Sequence, residues 1–369
     1  MAATKLATGV AAVVGGTLAA GSALAVDLPE DRAEVMYHLY DGGGTRASGP
    51  AVLVRKSMLD RVSLSAGYYV DAVSNASIDV VTTASKYKET RDEIDLGAAY
   101  VVRDTLIKVS GSKSKEPDYL ADTLNIDLTQ DVFGGMTTVA LGFTKGNDKV
   151  GEKDVVGWID KADHWQYRLG LTQLLTSRWI ASANLEAVAD DGYLGSPYRL
   201  ARVAGVYLHE QMPRTRESRA LKLGVIGDIS GDDAVNRSSI RAEYRYFWDT
   251  WNVRASTMEL GYSRHLGPGW LADGFLRYYT QQHALFYSDD AAGLTQYYTR
   301  NRQLSTFHDI GLGGKVTYTL KSVPGKYDVH LTGSYELISF HYKDFTDPHS
   351  NSPYAFNAHV LQAYVSATF

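Results

Sequence analysis

Cysteine is absent from all 369 residues, which excludes disulfides, thiolate metal sites, iron–sulfur ligation and lipid attachment at a cysteine. A basic excess is lacking as well: 37 Lys+Arg face 42 Asp+Glu, a formal net charge of −5. A sequence-independent nucleic-acid binder needs a cationic face to displace counterions, so that class is excluded. After the first two dozen residues no apolar run approaches the roughly 20 residues of a membrane-spanning helix. An integral membrane protein would therefore have to be a β-barrel. The histidines at 308, 330, 341, 349 and 359 have no spacing of a metal-binding helix or zinc module, and Gly42–Gly44 opens no phosphate-binding helix. No metal or cofactor is expected.

What the chain does have is an address and a rhythm. Met1–Ala25 reads as a secretory signal peptide, with Lys5, an apolar Leu6–Leu18 and the small-x-small site Ala23-Leu24-Ala25, so the mature chain is expected to begin at Val26. From Glu34 onward, alternation of period two recurs. Ile94, Leu96, Ala98 and Tyr100 alternate with Glu93, Asp95 and their neighbours; Tyr167, Leu169 and Leu171 alternate with Arg168, Gly170 and Thr172. Short turns such as Arg103-Asp104 and Trp248–Thr250 contrast with long polar segments such as Gly146–His164 and Gln281–Ser305. This predicts an all-β, antiparallel up-and-down transmembrane barrel over residues 26–369. Alternating stretches number seventeen, and closure with both ends on one side requires an even count. One stretch between Leu200 and Ser305 is therefore surplus, leaving 16 strands, with 14 as the alternative. Tyrosine, at 25 residues, suits a membrane interface. A soluble β-sandwich would show the same alternation but a lysine-rich polar face.

The polar parity is expected to line the lumen. It includes Arg91, Glu93, Asp95, Arg168, Arg241, Glu243, Arg245 and Arg277, with Arg202 and Arg254 assigned alongside them. Such charges either form a selective constriction or brace the interior as salt bridges. Arginine outnumbers acid among these positions, which would tilt an open pore towards anions. Ser74–Lys88, with Ser77, Asp79, Thr82 and Thr83, is either a lumen plug or an external loop. His283, Tyr287, Asp289 and Asp290 mark a loop suited to ligand or partner contact, and Ser288 beside Asp289 and Asp290 near His283 is the one hydrolase-like cluster. Enzymatic activity is not expected.

Specific stretches resemble a family of outer-membrane barrel proteins classed as a domain of unknown function. They are Asp41–Gly44, Tyr68–Arg91, SKEPDYLADT (Ser114–Thr123), Leu128–Val139, GYLGSPYR (Gly192–Arg199), Pro213 with Arg216, YRYFWDTW (Tyr244–Trp251) and Arg277–Asp290. The strand Ala355–Phe369 resembles the terminal strand of such barrels, whose aromatic end, here Phe369, is implied to be read by the barrel assembly machinery. The resemblance implies a Gram-negative outer-membrane location in contact with lipid. It also implies genes neighbouring those of a small periplasmic lipoprotein and redox proteins. Three functions follow: a pore or transporter for a small solute, a scaffold or conduit for such a lipoprotein or redox partner, and, last, a membrane-embedded hydrolase.

Overall fold

The computed structural model describes residues 26–75, 87–152, 155–231 and 237–369. The expected signal peptide and the candidate plug positions Ser77, Asp79, Thr82 and Thr83 lie outside them.

Eighteen strands follow one another: β1 Arg32–Gly42, β2 Thr45–Leu59, β3 Val62–Asn75, β4 Tyr87–Val102, β5 Thr105–Lys115, β6 Tyr119–Val132, β7 Thr137–Gly151, β8 Trp158–Leu174 and β9 Trp179–Gly192, then β10 Leu200–Val203, β11 Val206–His209, β12 Thr215–Asp228, β13 Ser238–Asp249, β14 Arg254–Gly267, β15 Trp270–Gln281, β16 Phe307–Val323, β17 Tyr327–Asp347 and β18 Ser352–Thr368. Sixteen close into one antiparallel barrel, with β9 pairing directly with β12 and β18 closing on β1. The surplus stretch is the hairpin β10–β11, which forms a sheet of its own. Closure leaves no unpaired edge.

The alternation sets the two faces. Val35, Val52, Tyr68, Ile94, Leu124, Tyr167, Leu223, Met258, Leu312 and Leu361 are all exposed, on strands all around the ring. A soluble protein does not leave so continuous an apolar band in water; a membrane barrel requires one. The opposite parity carries the charges.

The chain ends share one rim with the short turns Asp60-Arg61, Arg103-Asp104, residues 133–136, Leu175–Arg178, Pro268-Gly269 and residues 324–326, and with the longer connection 229–237. The other rim carries the long connections, including residues 193–214 and 282–306. The turn after β13 lies on this second rim too, so its grouping by length with the short turns is corrected. Its Trp251 is 4 % exposed. The strands also run further than the apolar pattern indicated. Asp148 and His164, expected in the long polar segment Gly146–His164, lie within β7 and β8. Beyond the membrane both faces become polar and alternation fades, while the hydrogen-bonded ladder continues.

Candidate functional site: a roofed, charge-lined lumen

At mid-height the inner wall is a network of ion pairs between strands one or two places apart in the ring. Arg168 meets Asp127 at 2.7 Å, Arg241 meets Glu259 at 2.6 Å, and Lys222 meets Glu243 at 2.9 Å. Arg277 lies between Asp309 (3.2 Å) and Glu336 (3.5 Å). Arg245 is held more loosely, 3.6 Å from Glu186. Glu93 and Asp95 share this inner face without an ion pair among the described residues. The arginine excess inferred from sequence disappears, because Asp127, Glu259, Asp309 and Glu336 were not counted there. Two assignments are corrected: Arg254 falls on the outward parity of β14, and Arg202 belongs to the β10–β11 hairpin, 3.1 Å from Asp290.

Two polar clusters on the wall were not visible in the sequence. Asp71 joins His38 (2.6 Å) to Arg91 (3.0 Å), with all three side chains nearly inaccessible, and the Tyr69 hydroxyl lies 2.9 Å from His38 Nε2. Gly49, beside Asp71, has no room for a side chain: a Cβ there would stand 1.9 Å from the Val70 carbonyl oxygen. The second cluster has His164 between Asp148 (2.8 Å) and Asp190 (2.7 Å), with Tyr119 donating to Asp148. Near it Glu89, Glu116 and Asp118 each bring a carboxylate oxygen within 4.8 Å of the others. Both clusters join residues 16 to 33 positions apart, so no local motif announces them.

The loop rim is built differently. Residues 193–214 and 282–306 pack on each other through the contacts Gln211–Tyr298 and Val203–Ala291. Glu210 accepts from Ser196 N at 2.8 Å and from Thr299 Oγ1 at 2.6 Å, while Tyr198 donates to Asp118 in the β5–β6 turn. On the other side Arg302 reaches the Gly43 carbonyl and lies 5.1 Å from the Phe356 ring centre. Together these contacts carry a roof from the β1–β2 turn to the β5–β6 turn. Beneath it Trp251, Val253, Ala284, Tyr287, Leu304, Tyr342 and Phe345 form an apolar core. Phe345 is fully buried because β17 breaks register between His341 and Thr346, turning inward a residue that strict alternation would place outside.

The loop residues singled out from sequence are structural members of this roof. His283 Nδ1 lies 2.8 Å from Asp344, the Tyr287 hydroxyl donates to the Asp344 carbonyl, and Asp289 pairs with Arg300 at 2.8 Å. Asp290 pairs with Arg202. No hydrogen bond joins Ser288 to His283 among the described residues. Phe369 closes the seam at the other rim, its N–H bonded to the Asp31 carbonyl at 3.1 Å.

Between roof and wall lies a cavity of about 270 Å³. Leu194, Met212, Phe247, Trp251, Val253 and Leu304 give it an apolar side; Arg199, Arg216, Arg245, Tyr279, Gln281, Asn301 and Gln303 give it a polar one.

The family of proteins of unknown function DUF3570 matches residues 42–157 and 153–331. The chain belongs to this family. No curated protein matches this DUF3570 chain. Among solved structures it is similar to a bacterial polysaccharide outer-membrane secretin, with 10% identity and a TM-score of 0.52, over 92% of this chain and 99% of the other. It is also similar to CdiB from Acinetobacter baumannii, with 9% identity and a TM-score of 0.50, over 91% of this chain and 60% of the other. OmpT, an outer membrane protein of Vibrio cholerae, aligns at 10% identity and a TM-score of 0.44, over 93% of this chain and 100% of the other. At such identities the likeness is one of fold: the chain has the fold of outer-membrane β-barrels.

Proposed function

We propose that the protein is a non-enzymatic outer-membrane pore or transporter for a small solute, its lumen narrowed by the folded-in roof. The observation that carries this reading is a charge-lined interior inside a sixteen-stranded wall, a size that otherwise leaves an aqueous channel. In this reading the rim with the chain ends faces the periplasm and the roofed rim faces outward. The barrel reaches its membrane after signal-peptide cleavage, with Phe369 presented to the assembly machinery.

The test is single-channel conductance in planar bilayers, comparing the refolded chain with a variant whose residues 285–302 are replaced by a short Gly/Ser turn. Low or intermittent conductance from the native chain and a steady, larger conductance from the variant are expected. Silence from both, with the folded barrel verified by circular dichroism, overturns the pore. Search for a periplasmic lipoprotein or redox partner, by co-purification, then becomes the next step.

A further inference from the structure

The cavity under the roof has hydrogen-bond donors to spare. Arg216 commits Nε and one terminal nitrogen to the same oxygen of Asp249, whose side chain is inaccessible. Its other terminal nitrogen has no hydrogen bond among the described residues, and its guanidinium carbon lies 4.5 Å from the Trp251 ring centre. Arg245 makes no hydrogen bond among the described residues and lies 5.6 Å from the Phe247 ring centre. The side-chain amide of Gln303 is likewise uncommitted among the described residues. Arg199 is backed by Glu210, another carboxylate with an inaccessible side chain. Among the described residues no carboxylate lines the space. The acids stand behind the arginines and orient them, while the spare donors face a cavity whose other side is aromatic and aliphatic.

We propose that this cavity binds a small organic anion, a carboxylate carried on a flat apolar or aromatic body. An acceptor-only headgroup satisfies guanidinium donors that water alone would otherwise serve, and the planar fork of arginine matches a carboxylate. The body packs on Trp251, Phe247 and the aliphatic side chains, which is how ligand sites divide polar anchoring from apolar contact. A cation meets arginine charge and no carboxylate of the lining, and an inorganic anion leaves the apolar side unused. The inference goes beyond the pore reading, since the cavity binds its ligand whether or not the barrel conducts.

Calorimetry and tryptophan emission on the refolded chain in detergent test it, with benzoate, benzamide, benzylamine and inorganic phosphate as probes. Saturable benzoate binding is expected, with the three others at least about tenfold weaker, in line with the loss of a charge-assisted contact. Arg245→Gln should weaken benzoate by about tenfold or more. Gln303→Glu places a carboxylate in the cavity without removing a buried ion pair, and should abolish benzoate binding in a barrel that still folds. The proposal is overturned if benzoate fails to saturate, if benzamide or phosphate binds equally well, or if the folded variants keep native affinity. Conductance is not read here, so a silent barrel that binds benzoate removes the pore and keeps the cavity. A conducting barrel indifferent to benzoate does the reverse.

Discussion

At mid-height the barrel interior is held by charge, between strands one or two places apart in the ring; at the loop rim it is held by packed aromatic rings and buried loops. Arg277 between Asp309 and Glu336 typifies the first region. Phe345, with Tyr342 at 5.7 Å and the Arg300 guanidinium at 4.3 Å from its ring centre, typifies the second. The wall gains order from the ladder itself, so its side chains remain available for electrostatic work in a wet lumen. The roof has no continuous ladder and must be ordered by burial, as a small soluble core is. The two regions should therefore fail in different ways.

Phe345→Ala should have the largest effect. Removing a fully buried ring typically costs about 3–5 kcal/mol. The loss should appear at the roof, as faster amide exchange in residues 282–306 and 342–356, while β2–β4 stay protected. Uniform loss of protection around the ring would show that roof and wall are one cooperative unit, and the distinction would collapse.

Arg277→Ala should cost less, roughly 2 kcal/mol, the scale of hydrogen bonds to a charged group. The side chain is 25% exposed, and lumen water screens part of the charge left on Asp309 and Glu336. Urea unfolding reads the loss. Adding Asp309→Ala should recover part of it, because one of the two stranded acids is gone. A double variant weaker than the single would mean that Asp309 has a partner of its own and that the wall is more than a set of pairs.

The wall was largely legible in the sequence and the roof largely was not. Arg91, Arg168, Arg241, Arg245 and Arg277 sit on the inner face because side chains alternate along a strand and the apolar partners must meet lipid. Even the surplus stretch could be bracketed, since an odd count cannot close with both ends on one rim; it is the hairpin of Leu200–Val203 and Val206–His209, four residues each. What periodicity could not supply was partners: Asp71 meets His38 from 33 residues away, and β-register has to be known first. Nor could it supply exceptions, such as the register break that carries Phe345 inward. The cavity escaped for the same reason. Arg199, Met212, Trp251 and Gln303 come from three different connections, and a loop leaves no rhythm from which to read its direction.

The smallest effect should come from the opposite rim, where the seam between β1 and β18 ends in water rather than under a roof. Asp31 accepts from the Lys56 ammonium at 2.6 Å and from the Ser57 N–H; those bonds, Lys56 first, hold its carboxyl at about 2, below the ordinary 3.8. A lowered folded pKa means a contribution that is complete above the unfolded value and disappears as pH falls from about 3.8 through about 2. Asp31→Asn should therefore speed amide exchange in Arg32–Val35 at neutral pH, and the native and variant rates should converge below pH 2. Roof amides should not respond at either pH. A response there would mean that the seam transmits strain along the full height of β1 to the Gly43 turn, and that the two rims are not independent.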